Sequence, residues 1–127
     1  MKTEQTDTGI LETWTVEEVA EAFDRGEIAV IDVRTPQEYM LEHVSGALLM
    51  PMNDFEPTKL PVGGEKRLVF HCGSGARSEK VARRMLEAGL GPVAHMEGGF
   101  TAWKQARRPY IGTDPASGAP KRVEGSS

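Results

Sequence analysis

The chain has one cysteine, Cys72, and the residues around it have the types and spacing of a reactive thiol site: Cys72-Gly73-Ser74-Gly75-Ala76-Arg77-Ser78. A lone cysteine is more often a small buried hydrophobe than a nucleophile, so its surroundings decide. The apolar run Leu68-Val69-Phe70 precedes it, and Ser78, Val81, Ala82, Met85, Leu86 and Gly89 follow at the spacing of one helix face, with Lys80, Arg83, Arg84 and Glu87 on the wet face. This pattern predicts a buried strand, a tight glycine-containing loop and an amphipathic helix. Cys72 sits where strand gives way to helix, and the first amides of a helix lack intrahelical partners and favour negative charge.

If the N–H groups of Gly73, Ser74, Gly75, Ala76 and Arg77 turn inward as a nest, they surround the sulfur with donors, and the two glycines relieve the curl. An ordinary thiol has a pKa of about 8.5, and lowering it by about two units takes roughly 2.7 kcal/mol. The helix dipole offers about 0.3–1 kcal/mol, whereas each hydrogen bond to a charged group contributes about 1.5–3 kcal/mol. The amides, more than the dipole, set the reactivity.

The elements that must position this loop are legible on either side of it. Thr15 and Glu18 have capping-box spacing, Trp14 is placed to staple onto Val19, and Val16, Val19, Ala20 and Phe23 mark an apolar helix face that Gly26 ends. Ile28-Ala29-Val30-Ile31 runs into Asp32-Val33-Arg34 as a strand whose polar residues lie at its C-terminal end, the edge where ligand sites form in open α/β sheets. Thr35, Pro36 and Glu38 restart a helix as N-cap, first and third residues, and Arg34 with Glu38 is a candidate ion pair. Pro51 to Lys66 is a long connection that either holds a short helix or helps wall a pocket. Val93-Ala94-His95-Met96 reads as a short strand, followed by the Gly98-Gly99 turn and a helix packed by Phe100 and Trp103. His71 alternates away from the sulfur along its strand. The three histidines have no close ligand spacing with one another or with Cys72, which argues against a metal site.

At 127 residues the chain has the size of one domain. One cysteine cannot form an intrachain disulfide, in keeping with a reducing compartment. A net charge of −4 without a basic stripe argues against nucleic acid, and no segment approaches the ~20 apolar residues of a membrane span. A cytoplasmic protein is the expectation. Residues 1–13 are polar and read as a flexible segment, residues 14–110 as the domain, and residues 111–127, rich in Gly, Pro and Ser, as a disordered tail.

The stretch VFHCGSGARS resembles the active-site loop of the rhodanese family of sulfurtransferases, and IDVRTPQEY at 31–39, EHVSGALLMP at 42–51 and EGGFTAW at 97–103 agree with it in order. The resemblance implies a three-layer α/β fold, with a central, mostly parallel, five-stranded sheet flanked by helices. It implies a two-step transfer in which Cys72 takes a sulfane sulfur from thiosulfate, a persulfide or a polysulfide and yields it to cyanide, a thiol or a protein thiol, with no cofactor. Gly73, Ser74, Gly75, Ala76 and Arg77 would form the binding loop, supported by Asp32, Arg34, Glu38, Ser78, Gly98 and Gly99. Two alternatives stay open: a persulfide carrier or regulatory module, and a cysteine phosphatase. The phosphatases place five residues between Cys and Arg, and here there are four.

Small neutral residues, Gly73 and Ser74, occupy the two positions where thiosulfate users of the family often carry cations. That leaves Arg77, with Lys80 nearby, as the local positive charge, and points to a persulfide or polysulfide donor. Ser74→Lys is expected to raise kcat/KM for thiosulfate in a cyanide-coupled assay; an unchanged or lower value refutes the charge argument.

Overall fold

Alternation along the central strands sorts the core into two layers. The computed structural model describes residues 1–57 and 66–124. Within them the chain runs β1 (Lys2–Thr6), β2 (Gly9–Trp14), α1 (Val16–Asp24), β3 (Ile28–Asp32), α2 (Pro36–Leu41), β4 (His43–Val44), β5 (Leu48–Leu49), a 3₁₀ turn (Met52–Asp54), β6 (Arg67–His71), α3 (Ala76–Glu87), β7 (Val93–Met96), α4 (Gly99–Gln105), β8 (Tyr110–Thr113) and β9 (Pro120–Val123). The main sheet has the order β1-β2-β7-β6-β3-β5, and every pairing in it is parallel except β1 with β2. Val30, Val69, Ala94 and Met96 point to one face, where α1 and α4 bring Val16, Val19, Phe100 and Trp103. Ile31, Phe70, Cys72 and Val93 point to the other, onto Val81, Ala82, Met85 and Leu86 of α3. This is the expected three-layer α/β arrangement, with helices on both faces of a mostly parallel sheet.

The helix starts follow the sequence signals. Thr15 with Glu18 and Thr35 with Glu38 both close capping boxes, and Pro36 stands at the head of α2. The buried face of α3 consists of Ser78, Val81, Ala82, Met85 and Leu86. Gly26 and Gly89, just past α1 and α3, take positive φ, as the left-handed ends of helices require. Among the described residues no helix is long and apolar enough to cross a membrane.

Three expectations are corrected. The sheet has six strands instead of five, because residues 1–13, read as flexible, form most of a hairpin. Thr6 pairs with Gly9 across a two-residue turn, and β2 docks in parallel on β7. The inward residue of this polar segment is Leu11, 2 % exposed and packed with Leu86 and Val93. Residues 111–124 are likewise ordered. β8 pairs with β4 and with β9 in a second, three-stranded sheet, and the turn between β8 and β9 closes through the Asp114 N–H on Ala119 O at 2.8 Å. Residues 125–127 lie outside the described residues. In the connection from Pro51, the 3₁₀ turn forms and also lines a cleft, so the two expected roles coincide; residues 58–65 lie outside the described residues.

Leu11 ties the amino-terminal hairpin to the α3 layer. Leu11→Ala is expected to lower unfolding free energy by about 2–5 kcal/mol in urea titrations; a loss near zero would show that the hairpin merely rests on the core.

Candidate active site

The parallel strands deliver three loops to one edge of the sheet, the C-terminal edge: 33–35 after β3, 72–75 after β6 and 97–98 after β7. Cys72 follows β6 and is 0 % exposed, packed on the α3 side with Phe70. Strand alternation sends His71 to the opposite face, where its Nε2 lies 3.7 Å from Asp32 Oδ2.

The loop curls so that its amides meet the sulfur. Gly75, with φ +113°, donates its N–H to Sγ at 3.0 Å. Burial by itself pushes the Cys72 thiol up, but hydrogen bonds from the amides of Ser78, Gly75 and Ser74 and from the Ser78 hydroxyl outweigh it, and the thiol lies below its ordinary value. The ring is therefore built differently from the expected five amides. The Gly75 amide meets the sulfur at 3.0 Å, the Ser78 hydroxyl, outside the expected five amides, lies 3.7 Å from it, and the amides of Ser74 and Ser78 add to the pull on the anion.

What holds the curl is the start of α4. Phe100 N–H donates to Cys72 O at 2.7 Å and Thr101 N–H to Gly73 O at 3.1 Å. These carbonyls are drawn away from the sulfur, which leaves the loop's N–H groups free to face it. The approach is too close for a side chain: a Cβ on Gly99, itself at φ +59°, would lie 2.4 Å from Cys72 O. Gly98, at φ +73°, has its missing Cβ position 2.6 Å from the Ala102 Cβ.

The charged residues pair otherwise than the spacing suggests. Arg34 does not meet Glu38. It turns back on Asp32, donating from Nε and Nη2 to both carboxylate oxygens at 2.8–3.1 Å, and its Nη2 also reaches Glu42 O at 2.6 Å. The pair is buried, with the Arg34 guanidinium over the Phe100 ring at 4.7 Å. Asp32 and Arg34 thus link the end of β3 to α4 and to the turn after α2. Glu38 instead takes Arg77 in a two-pronged ion pair, 2.7 and 3.0 Å. The Arg77 fork, with the Thr35 amide of the capping box, holds the Glu38 carboxyl down at about 2. Arg77 closes the loop, but its positive charge is matched by a fixed carboxylate.

A cleft of about 380 Å³ opens beside this pair, walled by Val33, Thr35, Pro36, Pro51, Asp54 and Arg77. Among the described residues no group of three His, Cys, Asp or Glu side chains stands where it could hold a metal ion.

The pattern of Cys72, the glycines and Arg77 on this scaffold decides the family. The sequence model of the rhodanese-like domain matches residues 15–106. The chain belongs to the rhodanese-like domain family. The thiosulfate sulfurtransferase GlpE of Coxiella burnetii is 31% identical over 94 residues, 74% of this chain and 82% of that protein. The uncharacterized protein slr1261 of Synechocystis sp. is 36% identical over 89 residues, 70% of this chain, and the chain spans about half of that relative's length, 50%. The rhodanese-like domain of the Anabaena sp. Alr3790 protein superposes with a TM-score of 0.71 at 19% identity, covering 91% of this chain and 89% of that one, a likeness of fold.

Two residues linked to the sulfur through Ser78 escape the sequence reading. His95 Nδ1 lies 3.1 Å from Ser78 Oγ, and its Nε2 lies 3.2 Å from Thr13 Oγ1. The available signal was a polar residue in an otherwise apolar strand near the ligand edge. Thr13 was hidden in a segment read as flexible.

Glu38 carries the pH consequence of this geometry. Its folded pKa is depressed, so its contribution to stability is present above the ordinary carboxylate value of about 4.3 and fades as the pH falls toward about 2. With its side chain 37% exposed, solvent screening holds that contribution to about 1 kcal/mol or less. Glu38→Gln is expected to lower stability at neutral pH by that amount and flatten the acid limb of a urea-midpoint profile; an unaltered slope would mean that the pair is not maintained in solution.

Proposed function

We propose that the protein is a sulfurtransferase that carries sulfane sulfur as a persulfide on Cys72. The reading rests on one observation above the others: a single enclosed sulfur faces the Gly75 N–H at 3.0 Å, and the amides of Ser74 and Ser78 also favour its anion. Such a thiolate attacks the outer sulfur of a donor. The new S–S bond forms on Cys72 as the donor's own S–S bond breaks, and the leaving group, sulfite from thiosulfate or a thiolate from a persulfide, departs with the bonding electrons. In the second half a nucleophile such as cyanide, a small thiol or a protein thiol attacks the outer sulfur and returns Cys72 to its thiolate.

The charge around the loop favours a persulfide or polysulfide donor over thiosulfate. Gly73 and Ser74 are neutral, and the Arg77 guanidinium is already matched by Glu38, so a dianion finds little net attraction. Gly73, Ser74, Gly75, Ala76 and Arg77 form the sulfur-binding loop. Asp32, Arg34, Glu38, Ser78, Gly98 and Gly99 support it, through the contacts described above. Phosphatase chemistry fits less well, because four residues between Cys72 and Arg77 make a ring smaller than the phosphoryl-binding one.

Full burial of Cys72 gives the carrier reading a specific basis, since an enclosed persulfide is sheltered from casual acceptors. One experiment separates the readings. The protein is incubated with glutathione persulfide or thiosulfate and followed by intact-mass and peptide analysis, with Cys72→Ser as control. One sulfur atom is expected on Cys72, faster from the persulfide, and removable by cyanide or thiol. Loading without release to any soluble acceptor assigns a carrier, and no loading from either donor refutes the proposal.

A further inference from the structure

Cys72 is 0 % exposed, so the polar groups that touch its sulfur bear directly on its ionisation. Its side-chain neighbour is Ser78, also 0 % exposed, with Sγ and Oγ 3.7 Å apart. From Ser78 Oγ the line continues to His95 Nδ1 at 3.1 Å, through the ring, and from Nε2 to Thr13 Oγ1 at 3.2 Å. His95 is 4 % exposed, while Thr13 is half-buried. The line therefore starts at an enclosed sulfur just after β6 and ends at the half-buried Thr13 on β2. Thr13 lies outside the segment that matches the family, residues 15–106.

Each group in the line is both a donor and an acceptor, which gives it two consistent arrangements. With Cys72 protonated, S–H donates to Ser78 Oγ, Ser78 O–H donates to His95 Nδ1, and His95 Nε2–H donates to Thr13 Oγ1. With Cys72 ionised, all three bonds reverse: Thr13 O–H donates to Nε2, Nδ1–H donates to Ser78 Oγ, and Ser78 O–H donates to the sulfur. Gly75 O accepts from the Ser78 hydroxyl at 3.1 Å as well as from the Glu79 N–H at 3.1 Å, one on each lone pair, so both arrangements of the line require the Ser78 O–H to rotate away from Gly75 O.

We propose that Thr13, His95 and Ser78 form a proton wire through which the buried Cys72 thiol ionises, with His95 exchanging its Nε2–H for its Nδ1–H tautomer as the proton leaves at Thr13. The balance closes. The sulfur's proton passes to Ser78, that of Ser78 to Nδ1, that of Nε2 to Thr13, and that of Thr13 to solvent. One proton leaves, Cys72 becomes anionic, and His95 is neutral before and after. Neutrality suits its site: burial holds the imidazole below its ordinary value, Glu79 and Glu97 draw it up, and Arg83 pushes it down. His95 touches neither donor nor acceptor sulfur and is a positioning residue that acts through Ser78. The inference rests on Cys72 as the working nucleophile and is independent of which donor loads it.

The test uses the full chain with ¹⁵N-labelled histidine. As pH rises through the ionisation of Cys72, followed by its iodoacetamide alkylation rate, the proton on His95 is expected to move from Nε2 to Nδ1 with the same midpoint, and Cys72→Ser is expected to abolish that move. Ser78→Ala and His95→Leu should each raise the Cys72 pKa by about one unit, a tenfold loss of thiolate below it, and the double variant should lose no more than either alone. A single tautomer throughout, an imidazolium at the Cys72 midpoint, or additive losses in the double variant would overturn the wire. Sulfur loading of the wild type in the mass assay remains a separate result, so failure of the wire and failure of the sulfurtransferase reading are distinguishable.

Discussion

The site depends on which way the peptide groups of the Cys72 loop face. A loop that turns its N–H groups toward a sulfur must turn its carbonyls elsewhere, and buried carbonyls need donors. The first turn of α4 supplies them to Cys72 O and Gly73 O. This couples the end of β6 to the end of β7, because α4 starts where β7 stops. The coupling also fixes the residue types. Gly99 is needed because a Cβ there would strike the Cys72 carbonyl, and Gly75 because its amide meets the sulfur from a φ of +113°, which other residues rarely adopt. The glycines near the loop answer to hydrogen-bond direction as much as to space.

Glu38 shows how one side chain can serve two levels of structure. It closes the capping box of α2 through the Thr35 amide and at the same time receives both prongs of Arg77 from α3. The helix start that the sequence prescribes is thereby tied to the closing residue of the loop. Arg34, which might have competed for Glu38, is held by Asp32, and both are buried. With these two pairs separate, each of the two guanidinium groups has its own carboxylate.

Local pattern made the central layers legible. The apolar strand ending at Cys72, the buried face of α3 and both capping boxes are set by residues within a few positions of one another, and each formed as its spacing predicts. What escaped was long-range. Glu38 chose Arg77 across 39 positions and left Arg34 four positions away, and Thr13 meets His95 across 82. Polarity also misled. In the amino-terminal hairpin the sheet side is carried by Leu11 while Glu4, Gln5 and Glu12 keep the average polar, and the Gly- and Pro-containing carboxy-terminal segment gains its order from backbone pairing with β4 and itself. Composition registers side chains, and these strands are held largely by their edges.

The means of stabilising the thiolate has a consequence for its chemistry. A cation next to the sulfur would lower its pKa and would also attract anions, with both effects weakened by salt. Here the lowering comes from backbone amides and the Ser78 hydroxyl, working against burial, and the Arg77 guanidinium is paired with Glu38. Dipoles act at short range, so they lower the thiol's pKa without drawing charged species from a distance. Because nucleophilicity toward sulfur falls as a thiol's pKa falls, with a Brønsted slope of about 0.4–0.5, strong lowering would also blunt attack. Burial opposes the amides and so limits the lowering of the Cys72 thiol.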